Sequence, residues 1–415
     1  MKLAIVHERL DVVGGAEKVI LALHEIFPDA PIYTSFVDYT HLSEPFRHMD
    51  IRTSYMQRLP RFMKKQAHAL LPMDMFAFQD FDLSEYDVVL SSSYVAAKSV
   101  LTTSETCHIC YSHTPMRFAW DLYADYMRGG QGNNNPVIKF GLRFLLQYFR
   151  VWDVQTANNV DYFIANSETV RRRIRKHYRR EAEVIYPPVE THRFRTSDRP
   201  GDYYLVVSRL VPYKRIDLAV SAFNRLDREL IVIGTGRESA RLKQLAGPNV
   251  RFLGWQPDDA VARYLSNARG LIFPGEEDFG ILPVEAQAAG TPVIAYGKGG
   301  ALETVRHGET GYLFPEQTPE SLSAAVQSFE QCEFDRLAVS AHAHQFEDRI
   351  FKDRVSDCVR RCYADFKAGQ MAAPTPMYRL TGQPQPGLPA DLPIEERAAV
   401  RAKVQESEIA ETRMG

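Results

Sequence analysis

Two carboxylates with seven residues between them, Glu277 and Glu285, flank the start of a helix in LIFPGEEDFGILPVEAQAAGTPVIAYGKGGALETV, residues 271–305. The helix is read from about Ile281 to Ala289, with Pro283 in its first turn and Gly290 as its stop. The backbone N–H groups of Phe279, Gly280 and Ile281 then gather where the helix dipole leaves partial positive charge, a place that welcomes an anion such as a diphosphate. Carboxylates beside a phosphate repel it, so Glu277 and Glu285 suit hydroxyl donors instead. A diphosphate with hydroxyl-rich groups on both sides is a nucleotide sugar. An ordinary strand–helix edge with solvated acids would share the two glutamates, but not the coincidence of glycines, helix start and acids. Cations are also at hand. Arg209 and Lys214 lie in SRLVPYKR, and the planar fork of one and the point charge of the other suit phosphate oxygens.

These residues need strands behind them. Leu271–Phe273 reads as a buried strand broken at Pro274-Gly275, and 292–295 as another, ended by Gly297, Gly299 and Gly300. A strand over 203–207 delivers Arg209 and Lys214. Another over 230–234 ends in Gly234-Thr235-Gly236, and one over 250–254 puts Trp255 where it could meet a nucleotide base. Toward the amino terminus, a strand over 2–6 leads to Gly14-Gly15 and a helix over 16–27, again a geometry by which phosphate approaches backbone. A plain tight turn is the alternative there, and without a full G-x-G-x-x-G the loop does not read as that of a dinucleotide dehydrogenase. Further strands are expected over 31–36, 88–93, 106–112 and 160–165. The third of these delivers His113 at its carboxyl end, where ligands of open parallel sheets collect. Strands alternating with helices in this way predict an α/β chain with two doubly wound, Rossmann-like units.

Composition sets the bounds. The chain has 415 residues, 45% hydrophobic and 25% charged, with a formal net charge of −2. That balance describes a soluble globular protein large enough for two domains and recruits no nucleic acid. Five cysteines show no framework of spacings; Cys107-x2-Cys110 sits in an apolar run without a second pair and reads as buried thiols. Asp80-Phe81-Asp82 spells D-x-D before a strand and reads as a chance match, so no metal is expected. Met1-Lys2 leads directly into a strand, and no apolar run approaches the roughly 18 residues of a membrane span; the expectation is cytoplasmic. Two stretches, 55–78 with Arg58, Arg61, Lys64 and Lys65, and 139–152 with Arg143 and Arg150, interleave cations with apolar residues. They suit either a core helix or a surface that meets anionic lipid. The run RRRIRKHYRR, 171–180, reads as a basic helix that is solvated or meets phosphates.

Glu277-x7-Glu285 within EEDFGILPVEAQAAGTPVIA, followed by GKGGALETV, resembles the retaining glycosyltransferases of family 4, which have the GT-B fold. The resemblance covers about residues 1–366. It implies a first, acceptor-side domain over 1–200 and a nucleotide-sugar domain over 201–345. Closing helices over 346–366 would return to the first domain, and a proline-rich, charged, partly disordered tail would occupy 367–415. It also implies roles: Glu277 against the donor sugar, Glu285 on the ribose, Arg209 and Lys214 on the diphosphate. Gly14 and Gly15 would approach the donor from the opposite domain, and His113 would be the active-centre histidine. The nucleotide sugar is a substrate, so no cofactor is implied, and the cations make a metal unnecessary. MKLAIVHERLDVVGGAEKVI and YSHTPMRFAWDLY look most like a bacterial subgroup that builds O-antigen or exopolysaccharide repeats. For that subgroup the expectation is mannose from GDP-mannose, a lipid-linked glycan acceptor, and work at the inner face of the cytoplasmic membrane. A nucleotide-sugar hydrolase or epimerase, or a non-catalytic binding protein, would share much of this pattern.

Overall fold

The computed structural model describes residues 1–369 apart from Val13 and residues 65–66, 129–135 and 198–199. The tail expected beyond residue 369, and Lys65, lie outside the described residues.

Two parallel sheets organise the chain. The first holds β1 (Leu3–His7), β2 (Ile32–Thr34), β3 (Ile51–Thr53), β4 (Val88–Ser93), β5 (Cys107–Ser112), β6 (Tyr162–Ala165) and β7 (Ala182–Val184), in the order β3-β2-β1-β4-β5-β6-β7. The second holds β8 (Tyr204–Val207), β9 (Leu230–Ile233), β10 (Val250–Gly254), β11 (Gly270–Phe273), β12 (Val293–Tyr296) and β13 (Gly311–Phe314), in the order β10-β9-β8-β11-β12-β13. Central strands such as LAIVH and VIAY are buried along their whole length, as parallel strands covered on both faces must be. In each sheet the strand order reverses beside the first strand, between β1 and β4 and between β8 and β11. Ligands of open α/β sheets bind in the crevice outside the carboxyl ends at such switch points.

The helices that matter below are α1 (Gly15–Ile26), α2 (Ala67–Ala77), α3 (Pro136–Ala157), α4 (Glu168–Tyr178), α5 (Ile216–Phe223), α6 (Ile281–Ala288), α7 (Pro319–Phe329), α8 (Arg336–Ala343) and α9 (Asp348–Lys367). Ser167 caps α4 by accepting the Val170 N–H at 3.1 Å. The helical run expected from Ser321 onward is thus three helices, the last of them a single twenty-residue helix. Phe351, Val355, Cys358 and Val359 of α9 are buried in one core cluster with Ile5 of β1, Ile20 and Leu23 of α1 and Ile109 of β5. The chain end therefore closes on the first sheet. Cys107 and Cys110 are buried free thiols.

The strands absent from the sequence reading are β3, β7 and β13. All three lie at sheet edges with partly exposed residues; β3 (IRT) and β7 (AEV) show neither an apolar run nor a clean alternation, whereas β13 (GYLF) carries a short apolar run that the sequence reading passed over. Among the described residues no helix is long and apolar enough to cross a membrane.

Candidate active site

The second sheet builds one wall of a cleft. At the N-cap of α6, Gly280 has φ +87°, a left-handed conformation that glycine adopts without strain. The loop after β12 lies directly on the loop after β11: Gly300 N donates to Glu277 O at 2.8 Å, and a Cβ on Gly299 would stand 2.3 Å from that oxygen. Any side chain at Gly299 would push the acidic loop away from its helix start. Lys214 forms an ion pair with the Glu277 carboxylate, so loops after β8 and β11 meet at the switch point. Arg209 is exposed and donates to the Tyr213 hydroxyl at 3.1 Å. The Phe279 ring is buried, stacked on Tyr186 at 5.4 Å and against Phe346 at 5.5 Å; only its backbone is left for a ligand. Gly234 has φ +130°, and a Cβ there would lie 1.9 Å from Ser208 O, so this glycine lets the loop after β9 pack onto the loop after β8. Trp255 follows β10 with its indole exposed.

The first sheet supplies the facing wall, and its polar groups are buried. Glu8, just past β1, accepts from Ser93 Oγ and from the N–H groups of Tyr94, Val95, Ala96 and Ala97 at 2.7–3.2 Å, which fixes the chain after β4. Gly14 N donates to Glu17 Oε2 at 2.8 Å, closing the first turn of α1. Glu17 Oε1 lies 3.5 Å from His7 Nε2, and His7 Nδ1 lies 3.2 Å from both Ser92 O and Ser92 Oγ. Ser92 Oγ is 2.8 Å from His113 Nε2. The His113 ring packs edge-on against Tyr111 at 5.3 Å and Tyr94 at 6.3 Å. Burial, aided by nearby His7, pushes the His113 imidazole down to about 3.

Three sets of contacts join the walls. Lys18 of α1 pairs with Glu285 of α6 at 2.6 Å, and a Cβ on Gly15 would stand 3.0 Å from Ile281 Cδ1. Arg173 of α4 pairs with Asp278 and lies 2.5 Å from Asp121 and 3.6 Å from Glu276. Arg117 adds contacts at 3.4 Å to Asp278 and 3.3 Å to Glu276 O. Glu303 accepts from Glu168 N at 2.7 Å, Thr169 N at 3.0 Å and Thr169 Oγ1 at 3.0 Å, supplying a second acceptor at the α4 start from the other sheet. Burial raises the Glu303 carboxyl.

Comparisons with known proteins meet this geometry at both ends. The family described as Glycosyltransferase Family 4 matches residues 13–193, and Glycosyl transferases group 1 matches residues 190–347. Sucrose-phosphate synthase of Thermosynechococcus elongatus superposes with TM-score 0.64 at 17% identity, over 88% of this chain and 100% of that one. HepE of Anabaena in complex with UDP gives 0.60 at 16% identity, over 87% and 100%. The chain has the GT-B fold. A D-inositol 3-phosphate glycosyltransferase of Geodermatophilus obscurus is 30% identical over 212 residues, 43% of this chain and 47% of that protein. The GT-B chain spans about half the length of the curated relatives it matches.

Within the GT-B frame, the expected site residues follow carboxyl ends around the two switch points: Gly14 and Gly15 after β1, His113 after β5, Arg209 and Lys214 after β8, Glu277 after β11. The structure brings Lys214 to Glu277 and Gly15 to Ile281. It places Arg209 on the hydroxyl of Tyr213, whose ring lies 5.4 Å from the Lys214 ammonium, and gives Gly234 a packing reason of its own. Sequence reasoning missed Lys18, Arg117, Arg173 and Glu303, and the buried set His7, Glu17 and Ser92. Lys18 was within reach, one residue past GGAE in the glycine loop. Arg173 was not, because in RRRIRKHYRR it differs from its neighbours only in facing inward. Asp82 accepts from Ser84 N at 3.0 Å in a local turn. Among the described residues no cluster of three or more His, Cys, Asp or Glu could hold a metal ion.

Proposed function

We propose that this GT-B chain is a glycosyltransferase that moves a hexose from a nucleoside diphosphate sugar to an acceptor hydroxyl, with retention at the anomeric carbon. One observation carries the reading: two switch points face each other, joined by Lys18–Glu285, around one helix N-terminus flanked by Glu277 and Glu285. The diphosphate sits at the α6 start, where backbone N–H groups, Arg209 and Lys214 stabilise the charge that grows on the leaving group. The anomeric carbon loses its bond to the diphosphate oxygen and gains one to the acceptor oxygen on the same face. The acceptor proton passes to the departing diphosphate. Glu277 accepts a hydrogen bond from a sugar hydroxyl, and Glu285 from the ribose. The cations do the electrostatic work, so the step runs without a metal. The acceptor stands on the first-sheet side.

The finer assignment is mannose from GDP-mannose to a lipid-linked glycan in bacterial surface polysaccharide synthesis, supported by the amino-terminal sequence resemblance alone. A panel of GDP- and UDP-sugars with a polyprenyl-diphosphate glycan tests it: GDP-mannose should be consumed and the product should be the α-anomer. Consumption of a UDP-sugar only, or a β-product, overturns that assignment.

A membrane-facing surface fits this acceptor. Leu146, Phe149 and Trp152 of α3 are buried in one cluster with Met75 of α2 and Phe78 just past its end, so the two basic-apolar stretches share one layer. The outward face of α3 carries Phe140 at 71%, Phe144 at 76%, Tyr148 at 51% and Val151 at 56% exposure, and α2 adds exposed Phe76. At helical spacing Lys139, Arg143 and Arg150 flank that stripe on one side, and residues 136–152 include no acid. This face lies on an anionic bilayer, making the protein a peripheral one on the cytoplasmic side. Vesicle flotation with phosphatidylglycerol tests this. Binding should weaken with salt and be lost in Phe140→Asp/Phe144→Asp; equal flotation on neutral vesicles overturns the charge argument.

A further inference from the structure

His113 is held by residues that sugar transfer does not itself require. In the β1–β4 register His7 stands opposite Ser92, and in the β4–β5 register Ser92 stands opposite Tyr111, two residues before His113. Three neighbouring strands and the first turn of α1 thus bring Glu17, His7, Ser92 and His113 into one line. Proton positions along it follow from donor and acceptor chemistry. The Ser92 carbonyl can only accept, so His7 Nδ1, 3.2 Å away, carries a proton. The same N–H points at Ser92 Oγ at 3.2 Å, so that hydroxyl accepts from His7 and has its own single proton to give. The remaining partner is His113 Nε2 at 2.8 Å. His113 Nε2 is therefore an acceptor, and the ring proton sits on Nδ1. Glu17 Oε1 lies 3.5 Å from His7 Nε2, while Glu17 Oε2 holds Gly14 N.

We infer that Glu17, His7 and Ser92 are positioning residues that hold His113 as a neutral imidazole protonated on Nδ1, a hydrogen-bond donor and not a proton carrier in the cleft. This rests on the reading of the cleft as a sugar-transfer site and adds the state and role of its histidine. The groups that face His113 agree. Tyr111 and Tyr94 are neutral phenols whose ionisation burial opposes, His7 opposes a second positive charge, and Glu17 is engaged by His7 and Gly14. His113 Nδ1 has no hydrogen-bond partner among the described residues, which leaves its N–H for an oxygen of the donor sugar. Such a donor keeps its strength over the pH range in which an ordinary histidine would titrate. Because Glu17 accepts from Gly14 N and packs its other oxygen 3.5 Å from His7, a displaced glycine loop also loosens the line that ends on the histidine.

Long-range proton–nitrogen NMR on protein labelled in its histidine rings tests this, with the His113 signals assigned by their loss in His113→Gln. The expected spectrum shows a protonated Nδ1 and an unprotonated Nε2, unchanged from pH 5.5 to 8. A proton on Nε2, or an imidazolium at pH 7, overturns the inference. In Ser92→Ala the His113 signals should move toward a mixture of tautomers, and kcat should fall about tenfold with the nucleoside diphosphate Kd unchanged; Ser92→Thr should restore both. Signals that do not move in Ser92→Ala overturn it as well. If that variant does not fold, the wild-type spectrum still decides. The spectra are recorded on the free protein, so a failed sugar-transfer reading would show in turnover and leave them intact.

Discussion

The two walls of the cleft solve the same problem by opposite means. On the first-sheet wall, Glu8, His7, Ser92 and Glu17 are buried and hydrogen-bonded within their own sheet or to the helix that follows it. On the second, Lys214, Glu277, Glu285 and Asp278 are partly exposed, and Glu285 and Asp278 take partners from across the cleft. Desolvated groups tied by several short bonds have little room to rearrange. Partly solvated ion pairs contribute little to stability and exchange partners readily. The first wall is therefore a fixed template, and the second a set of charges that can be handed to a ligand.

Substitutions can break this contrast. The largest stability loss is expected behind the template, where buried Asp153 pairs with Lys98 at 2.6 Å and accepts from Trp120 Nε1 at 2.8 Å and Tyr178 OH at 3.0 Å. Asp153→Ala leaves an unpaired buried ammonium and should lower unfolding free energy by about 3–5 kcal/mol in urea titration. On the exchangeable wall, Lys214→Ala should leave that value within about 1 kcal/mol yet cut turnover by a hundredfold or more, about 2.7 kcal/mol of transition-state stabilisation. A Lys214→Ala variant that turns over normally removes it from the diphosphate.

Smaller effects sharpen the comparison. Glu285→Gln should weaken nucleoside diphosphate binding by roughly 1–3 kcal/mol by calorimetry, the scale of a lost charged hydrogen bond. Glu277→Gln should depress kcat far more than that binding; the reverse ranking would exchange the two roles. Acid separates the walls again. Burial pushes His108 down to about 4 and His113 to about 3, so below the ordinary histidine value the unfolded chain takes up protons that the folded chain refuses. Stability should therefore fall as pH drops from about 6.5 toward 4, by about 1.4 kcal/mol per unit for each histidine. A denaturation midpoint that does not move over this window contradicts neutral histidines. The smallest effect belongs to Lys18→Met, which removes a partly exposed pair and should change stability by less than about 1 kcal/mol.

Much of the fold could be read without coordinates because its strands are short, buried and apolar, and glycine or proline ends them where the chain must turn. The second wall was legible for the same reason: its acids, cations and helix start sit within a few residues of recognisable strand ends. The template was opaque. His7, Glu17 and Ser92 stand in different elements, and nothing in LAIVHERL or VVLSSS says that His7 will face Ser92. Parallel pairing of β1 with β4 decides that. Arg173 escaped likewise, since its partner Asp278 is 105 residues away.

By itself, then, the sequence determined which chemistry is available: a helix N-terminus with two flanking carboxylates, cations after a strand, and a histidine at the end of another. Those are local matters, set by residue type, hydrophobic period and turn residues over a dozen positions. The tertiary structure decided which charges meet. It gave Glu285 to Lys18 and Glu303 to the start of α4, and turned His113 toward Ser92. Sheet order and register bring distant residues within hydrogen-bond range, and burial then determines which protonation states they can keep.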